Sequence, residues 1–366
     1  MNEFLGLLLV ALAIYLSECL CLAPESAQAF RGRRTRWRAI DPLFELPALK
    51  KVIYATGLLP AWGGIALCER FPPPLAPAGF LPQRGDDGTS ALAFGDLTAD
   101  GPKVKQGPHI VFRAATAGYA LRFVKLAQDL REASPMQREE RIGKELDRLL
   151  NVSAAKRRRA RYRRVERFLT LECRLLFAVV FIGLPALVYF RGSLAAIPAA
   201  IAAILLLIRI AWLFNRVHRI LYRGEGTGRH AHIVEMMLMP LAAIRAQDRL
   251  QRELFADFHF LAVARALGTR RESRELAGLA LRELEFTPAS DGEEDPSTVW
   301  ARRAWRDAVW RHIKQEYGEP QRLLAPPPRK SPASISYCPR CCEEYVMAQG
   351  VCQDCSGVPL RAFGKA

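Results

Sequence analysis

Residues 169–214 read LTLECRLLFAVVFIGLPALVYFRGSLAAIPAAIAAILLLIRIAWLF, and this stretch decides the fold. It contains two apolar runs, Leu169–Phe190 and Ser193–Phe214, which are separated only by Arg191 and Gly192. Each run is close to the ~20 residues that a helix needs to cross the hydrocarbon core of a bilayer. The stretch therefore predicts a tight antiparallel transmembrane hairpin.

A third apolar run, Phe4–Leu22, lies near the N-terminus and predicts a first transmembrane helix, assigned to residues 1–23. A signal peptide cleaved after Ala27-Gln28-Ala29 is the alternative, but no basic side chain precedes the apolar run. Val52–Cys68 resembles a further span. It contains Pro60 and is short, so it predicts buried strands or an interfacial segment.

The positions of the basic residues predict the orientation. The chain has a formal net charge of +16, and its densest basic clusters lie directly after the first run, before the second and after the third. Since basic residues flank spans on the cytoplasmic side, we expect the N-terminus outside and the C-terminus in the cytoplasm. The expected location is the bacterial inner membrane. The clusters are Arg31, Arg33, Arg34, Arg36 and Arg38; Lys156, Arg157, Arg158, Arg159, Arg161, Arg163, Arg164 and Arg167; and Arg216, Arg219, Arg223 and Arg229.

Four charged residues fall inside the predicted spans, at similar depth near the cytoplasmic interface: Glu18, Glu172, Arg174 and Arg209. Charges are costly there and often mark a functional site. The functional hypothesis is a shared polar cluster in which Glu18 or Glu172 pairs with Arg209. The alternative is that each side chain extends separately to the interface.

Residues 134–168 predict basic juxtamembrane helices, with Ser134 as the N-cap of the first and Ser153 as the N-cap of the next. The second helix carries a predicted lipid-surface patch, in which each cation adds about 1 kcal/mol of attraction to an anionic leaflet. Anionic headgroups are therefore the expected partner, and nucleic acid is the alternative. The patch comprises Arg157, Arg158, Arg159, Arg161, Arg163 and Arg164.

Residues 40–132 predict a small α+β cytoplasmic domain, with short strands followed by a helix from about Ala115 to Glu132. This order of elements loosely resembles a bacterial pleckstrin-homology-like module. Residues 215–318 predict a cytoplasmic helical region. Residues 319–336 predict a Pro-rich linker that lets the last module move independently.

The C-terminal segment, residues 337–366, contains two Cys-x-x-Cys pairs that are ten residues apart: Cys338, Cys341, Cys352 and Cys355. Two such pairs can complete a tetrahedral four-thiolate metal site. The segment resembles a zinc ribbon of the rubredoxin-like kind, but it has Cys342 and Ser356 where such knuckles usually have glycine. Cys342 could be a spare thiol or an alternative ligand.

Four thiolates with no open position predict structural zinc, which we favour over iron because nothing else indicates electron transfer. A disulfide is disfavoured in the cytoplasm, where thiols stay reduced. A ribbon this small needs its metal in order to fold.

Together these features predict a mainly α membrane protein with three transmembrane helices, a small α+β cytoplasmic domain, a helical cytoplasmic tail and a C-terminal zinc ribbon. The sequence contains no nucleophile elbow, Walker-type loop or dinucleotide fingerprint. We therefore expect a non-enzymatic scaffold or adaptor that binds protein or lipid surfaces. The alternatives are a membrane-associated nucleic-acid-binding protein and an enzyme built on the intramembrane Glu/Arg cluster.

Overall fold

The computed structural model describes residues 3–24, 27–32, 37–49, 51–59, 64–69, 97–101, 103–113, 117–222, 229–286, 296–355 and 357–364. The chain divides into two compact units. The first unit comprises Met1–Pro72, Asp96–Gln128 and Asn151–Leu267, and the second comprises Pro73–Gly95, Asp129–Leu150 and Gly268–Ala366.

The described part of the chain is mostly helical, with several small antiparallel sheets. The helices are α1 (Glu3–Glu18), α2 (Ala117–Glu132), α3 (Pro135–Leu149), α4 (Val152–Ala178), α5 (Leu184–Arg191), α6 (Ile197–Tyr222), α7 (Arg229–Leu238), α8 (Pro240–Ile244), α9 (Ala246–Glu253), α10 (Phe260–Leu267), α11 (Arg270–Phe286) and α12 (Pro296–Tyr317). Short 3₁₀ turns cover Pro47–Leu49, Ser193–Ala196 and Pro320–Leu323.

The strands of the first unit are β1 (Leu20–Pro24), β2 (Ala27–Gly32), β3 (Trp37–Ile40), β4 (Phe44–Leu46), β5 (Lys51–Ala55), β6 (Ile65–Glu69), β7 (Leu97–Asp100), β8 (Lys103–Gln106) and β9 (His109–Arg113). The strands of the second unit are β10 (Ser336–Tyr337), β11 (Glu344–Tyr345), β12 (Val351–Cys352), β13 (Val358–Pro359) and β14 (Arg361–Ala362).

Two helices of the first unit are long and apolar enough to cross a membrane, Val152–Arg191 and Ser193–Leu221. The first is one continuous helix, because α4 passes into α5 through a π-helical turn at Val179–Gly183. The predicted basic helix and the second span are therefore parts of one element. Gly192 separates the two long helices and adopts a φ of +84°, which favours glycine.

The predicted first span of Phe4–Leu22 is too long. The apolar helix α1 ends at Glu18, and Leu20 already begins strand β1. The physical reason is that β1 pairs antiparallel with β5, from Leu20 opposite Ala55 to Pro24 opposite Lys51. Three transmembrane helices are thus not confirmed, since α1 is shorter than the other two.

Of the two predicted N-caps, one is confirmed and the other is wrong. Ser134 is confirmed as the N-cap of α3, where it forms a capping box with Gln137. Ser153 is not the N-cap of α4. Asn151 has that position, and its Oδ1 accepts a hydrogen bond of 2.8 Å from the Ala154 N–H.

Two of the three-stranded sheets of the first unit share a hydrophobic core. One has the strand order β1-β5-β4 and the other β3-β2-β6. Their inner faces meet through small or flat side chains: Cys21, Ala23, Ala27, Ala29, Val52, Tyr54 and Ile65. The Tyr54 hydroxyl donates a 3.0 Å hydrogen bond to the Ala27 carbonyl, which joins the two sheets.

The second of these sheets also packs against helices. Trp37 of β3 lies edge-on against Phe255, with ring centroids 5.9 Å apart. Next to β6, a Cβ atom at Gly64 would lie 1.6 Å from Gln251 Oε1 of α9. Glycine therefore permits the close approach of this backbone to α9. The segment Val52–Cys68 contributes most of β5, which is buried on one face, and most of β6, while Pro60 lies outside the described residues.

A buried guanidinium connects three segments of the first unit. Arg245 donates to the Tyr15 hydroxyl of α1 at 3.2 Å and to the Gly57 carbonyl at 2.8 Å. It also hydrogen-bonds Thr56 and forms an ion pair with Asp248 of α9. Arg245 and Asp248 are both fully buried, so neither charge has water as an alternative partner.

In the second unit, α12 packs against α3 and α11. The Trp310 indole N–H donates a 3.0 Å hydrogen bond to Glu285 of α11. The side chains of Trp300 and Trp305 lie outside the described residues.

We predict that Asp248→Asn lowers the thermal stability of the detergent-solubilised protein strongly. The substitution leaves the Arg245 charge buried without its carboxylate, which typically costs about 3–5 kcal/mol. The matched control is Asp100→Asn, because Asp100 pairs with Lys105 at the surface, where water solvates the lysine once the carboxylate is removed. Equal shifts of the two unfolding midpoints would contradict the role assigned to the buried pair.

Candidate metal centre

The four predicted metal-ligating thiols lie together. The Sγ atoms of Cys338, Cys341, Cys352 and Cys355 are all within 4.8 Å of one another. Three of these side chains are buried, and Cys341 is exposed. Local sequence explains this arrangement, because each Cys-x-x-Cys pair occupies one tight turn and the two turns face each other.

The first turn is closed by backbone hydrogen bonds around Cys338. The Cys338 N–H donates to the Glu343 carbonyl at 2.9 Å, and the Cys342 N–H donates to the Cys338 carbonyl at 2.9 Å. The second turn is one residue longer. The Gly357 N–H donates 3.1 Å to the Cys352 carbonyl, and Gly357 has a φ of +89°. The glycine that stands one place late thus provides the left-handed residue of its turn.

Cys342 is outside the group of four thiols. It has a φ of +64°, the left-handed conformation for which such knuckles usually use glycine. Its backbone therefore adopts the conformation of that glycine in the turn, and its thiol is not one of the four that cluster. This geometry favours the interpretation of Cys342 as a spare thiol.

The spacing of the thiols fits a tetrahedral ion. The Sγ atoms of Cys341 and Cys352 are 3.8 Å apart. Thiolates at ~2.3 Å from a tetrahedral zinc ion lie about 3.8 Å from one another. A disulfide requires a sulfur–sulfur distance of ~2.0 Å, so the same pair is not bonded. The donor set and its spacing are thus compatible with a metal ion such as zinc.

Tyr345 is a site residue that the sequence does not reveal. Its hydroxyl donates a 3.1 Å hydrogen bond to Cys352 Sγ. Partial burial opposes ionisation of Cys352, but hydrogen bonds from Tyr345 and neighbouring thiols lower the pKa of Cys352 to about 7. Burial instead raises the pKa of Cys355 to about 11. A bound cation would stabilise the thiolate form of all four ligands.

Arg282 of α11 connects the metal centre to the helical part of the second unit. Its buried guanidinium donates to the Pro339 carbonyl in the first cysteine turn at 2.9 Å. It also donates to the carbonyls of Leu323 and Ala325. Phe286 of the same helix packs against the core around the cysteines. Residues 319–336 therefore do not leave the cysteine module independent, because one arginine joins both to α11.

The structure pairs two of the four predicted intramembrane residues, Arg209 and Glu172, with each other. Arg209 Nε of α6 lies 2.8 Å from Glu172 Oε1 of α4, and Glu172 is buried. Arg174 follows Glu172 by two residues, or ~200° of helical rotation, so it lies on another face of α4. Glu18 is placed elsewhere, with its Oε2 atom 3.6 Å from Arg249 Nη2. The four residues therefore do not form a single cluster.

The predicted lipid-surface patch also divides. Arg158 is turned inward, where its Nη1 atom lies 3.3 Å from Asp257 Oδ2. Arg159 is buried, with its Nη1 atom 3.3 Å from Glu166 and its guanidinium over the Trp37 ring. The other members of the patch are exposed: Arg157, Arg161, Arg163 and Arg164.

We predict that Cys338→Ser abolishes metal binding by the purified full-length chain. The substitution removes a buried ligand, and a small ribbon folds only with its metal. The measurement is the metal content per chain by mass spectrometry, with digestion of residues 337–364 by protease as the readout of unfolding. Cys342→Ser is the matched control and keeps full metal content, because its thiol is outside the site. A wild-type chain without metal would overturn the site.

We further predict that Tyr345→Phe keeps the metal but binds it more weakly. The substitution removes the hydroxyl that supports Cys352, and loss of such supporting contacts typically costs about 10–100-fold in metal affinity. Competition with a chelator of known affinity measures this change. Unchanged affinity would show that the Tyr345 hydroxyl has no part in holding the ligand.

Among the described residues, the four clustered thiols are the feature that points most directly to a chemical role. Comparisons of this chain with protein-family models, with curated proteins and with solved structures give no match. Conclusions about function therefore depend on the residues and their geometry.

Proposed function

We propose that this chain is an integral membrane protein that acts as a non-enzymatic scaffold or adaptor. In this proposal, the four-cysteine centre binds zinc and holds a cytoplasmic interaction module in its folded form. The observation that carries the proposal is the closed set of four thiols, because a centre with four protein ligands has no open position for substrate. Zinc is favoured over iron, and the metal bound by the native protein distinguishes the two.

The surface of the cysteine module supports a protein partner. Four large apolar side chains are exposed among the described residues from 335 to 364, which include the module, and Val346 reaches 71% exposure. Such a concentration of exposed apolar groups is typical of interaction surfaces. The other three are Ile335, Met347 and Val351.

The membrane anchor of the proposal is formed by the two long helices. In α6 the outward side chains are apolar over several turns: Ile197, Ile201, Ile204, Leu205, Ile208 and Trp212 are all exposed. Lipid is the solvent that such a surface fits. The Arg209–Glu172 pair lies between the two helices and lowers the cost of the two charges at this depth.

The orientation in the proposal, with the N-terminus outside and the C-terminus in the cytoplasm, is supported by the exposed cationic face of α4. This face comprises Lys156, Arg157, Arg161, Arg163, Arg164 and Arg167. At ~100° per residue these side chains fall within an arc of about 160°. From Phe168 to Phe190 the same helix is mainly apolar, and its only charged residues there are Glu172 and Arg174. Cations at this boundary fit the anionic headgroups of the cytoplasmic leaflet.

The scaffold role is tested by photo-crosslinking from Val346 in intact membranes. A crosslinking amino acid at this exposed position should capture a defined protein partner. The same substitution in a Cys338→Ser background should lose that partner while the chain stays in the membrane fraction. The comparison isolates the folded module, because Cys338 is distant in sequence from the long helices.

Two outcomes contradict the scaffold role. A crosslink pattern that is the same in both backgrounds would show that the metal-bound fold does not matter. Capture of nucleic acid from Val346 in place of protein would favour the nucleic-acid-binding alternative. Recovery of the chain in the soluble fraction would contradict membrane anchoring itself.

A further inference from the structure

We propose that the outer face of the β1-β5-β4 sheet is a lipid-contacting surface that lies in the boundary between headgroups and acyl chains. This inference rests on the proposed membrane anchoring by the two long helices. It brings to the membrane strands β4 and β5, which lie in the predicted domain of residues 40–132, together with β1, which lies at the end of the predicted first span. We infer that the bilayer covers this face. The test distinguishes the bilayer from a second copy of the chain.

The register places apolar side chains side by side across this sheet. Leu22 of β1 lies opposite Ile53 of β5, and Ile53 lies opposite Phe44 of β4. Residues directly opposite in antiparallel strands project from the same face. The next row contains Leu20 opposite Ala55. Leu20 is 44% exposed, Leu22 is 50% exposed and Phe44 is 63% exposed.

The other face of the sheet is already occupied. Cys21, Ala23, Val52 and Tyr54 alternate with the outer residues and lie buried in the core between the two sheets. A sheet with one face in a core normally presents polar side chains on its other face to water. Here both faces are apolar around Leu20, Leu22 and Ile53. Contiguous exposed apolar patches mark membrane or protein interaction sites.

The sheet continues directly from an apolar helix. Helix α1 ends at Glu18, and the Cys19 carbonyl accepts a 2.7 Å hydrogen bond from the Thr56 N–H just after β5. Most of α1 is also apolar and exposed, including Leu7, Leu9 and Val10. Exposed apolar side chains therefore occur both along α1 and on the outer face of β1, the strand that follows it directly.

Contacts of Tyr15 set the level at which the sheet begins. Its ring lies 5.3 Å from the Phe177 ring and 5.4 Å from the Phe181 ring, both in the apolar part of the long helix. Phe177 follows Arg174, the last charged residue before the apolar section, by three residues, or ~4.5 Å along the helix. Tyr15, one turn before the end of α1, thus lies near the edge of the apolar section, and β1 begins only two residues after Glu18.

The charge on this face agrees with a lipid boundary. Lys51 lies at the end of β5 that is farthest from α1, opposite Pro24, and it is exposed. The face is therefore apolar beside the membrane helix and cationic at its far end. A lysine can bury its stem in such a boundary while its ammonium group reaches the headgroups.

The test measures lipid contact of the full-length chain in nanodiscs. An environment-sensitive fluorescent amino acid is placed at Phe44, at Leu205 of α6 or at Ile110 of β9, and the lipids carry brominated acyl chains. These positions are all exposed and apolar, at 63%, 62% and 45%. We expect Phe44 to be quenched at least half as strongly as Leu205, and Ile110 not to be quenched. A label at Leu22 provides a second reading of the sheet if Phe44 tolerates substitution poorly.

The outcomes separate this inference from the proposed anchoring. Quenching at Leu205 without quenching at Phe44 and Leu22 overturns the inference and leaves the membrane helices in place. Protection of Phe44 in a dimer, without lipid quenching, also overturns it and assigns the face to a second copy. An unquenched Leu205 overturns the proposed membrane anchoring and with it the lipid-contacting sheet.

Discussion

The arrangement of the first unit depends on the hydrogen bonds and the ion pair that replace water around one buried guanidinium. Arg245 is removed from water, and its hydrogen bonds go to Tyr15 of α1 and to Thr56 and Gly57 after β5. Its counter-ion is Asp248. A buried charge is costly unless its partners are all in place. Because these partners come from three separate segments, α1, the sheet and α9 satisfy the guanidinium only when they are docked together. The unit is thereby held as one cooperative structure.

Sequence patterns predict the long helices but not the end of α1. The two runs in residues 169–214 form helices that are long and apolar enough to cross a membrane, as their composition predicts. Phe4–Leu22 joins an apolar helix to a strand whose outer residues, Leu20 and Leu22, are also apolar. Composition is the same on both sides of Glu18, so it cannot mark the boundary. The end of α1 is determined by the pairing of β1 with β5, about thirty residues later in the sequence.

At the metal centre, too, contacts within one turn can be predicted from the sequence, whereas contacts between distant residues cannot. The two Cys-x-x-Cys pairs predict which four thiols cluster, because each pair needs only its own turn to bring its two thiols together. Arg282 donates to the Pro339 carbonyl, which lies 57 residues later in the sequence, and no local sequence pattern predicts this contact. Arg158 and Arg159 illustrate the reverse case. They share the composition of their exposed neighbours, and only their partners Asp257 and Glu166 turn them inward.

The four thiols are unequally exposed, so the candidate metal centre is accessible to solvent from one side. Cys338, Cys352 and Cys355 are enclosed by protein, while Cys341 faces solvent. A chelator, a competing thiol or a metal-delivering protein would therefore meet the ion on the Cys341 side. The equilibrium affinity for a metal would depend on all four thiols, whereas exchange of a bound ion would begin most easily at the exposed Cys341. Affinity and lifetime of the bound ion can thus be tuned by different residues of the same site.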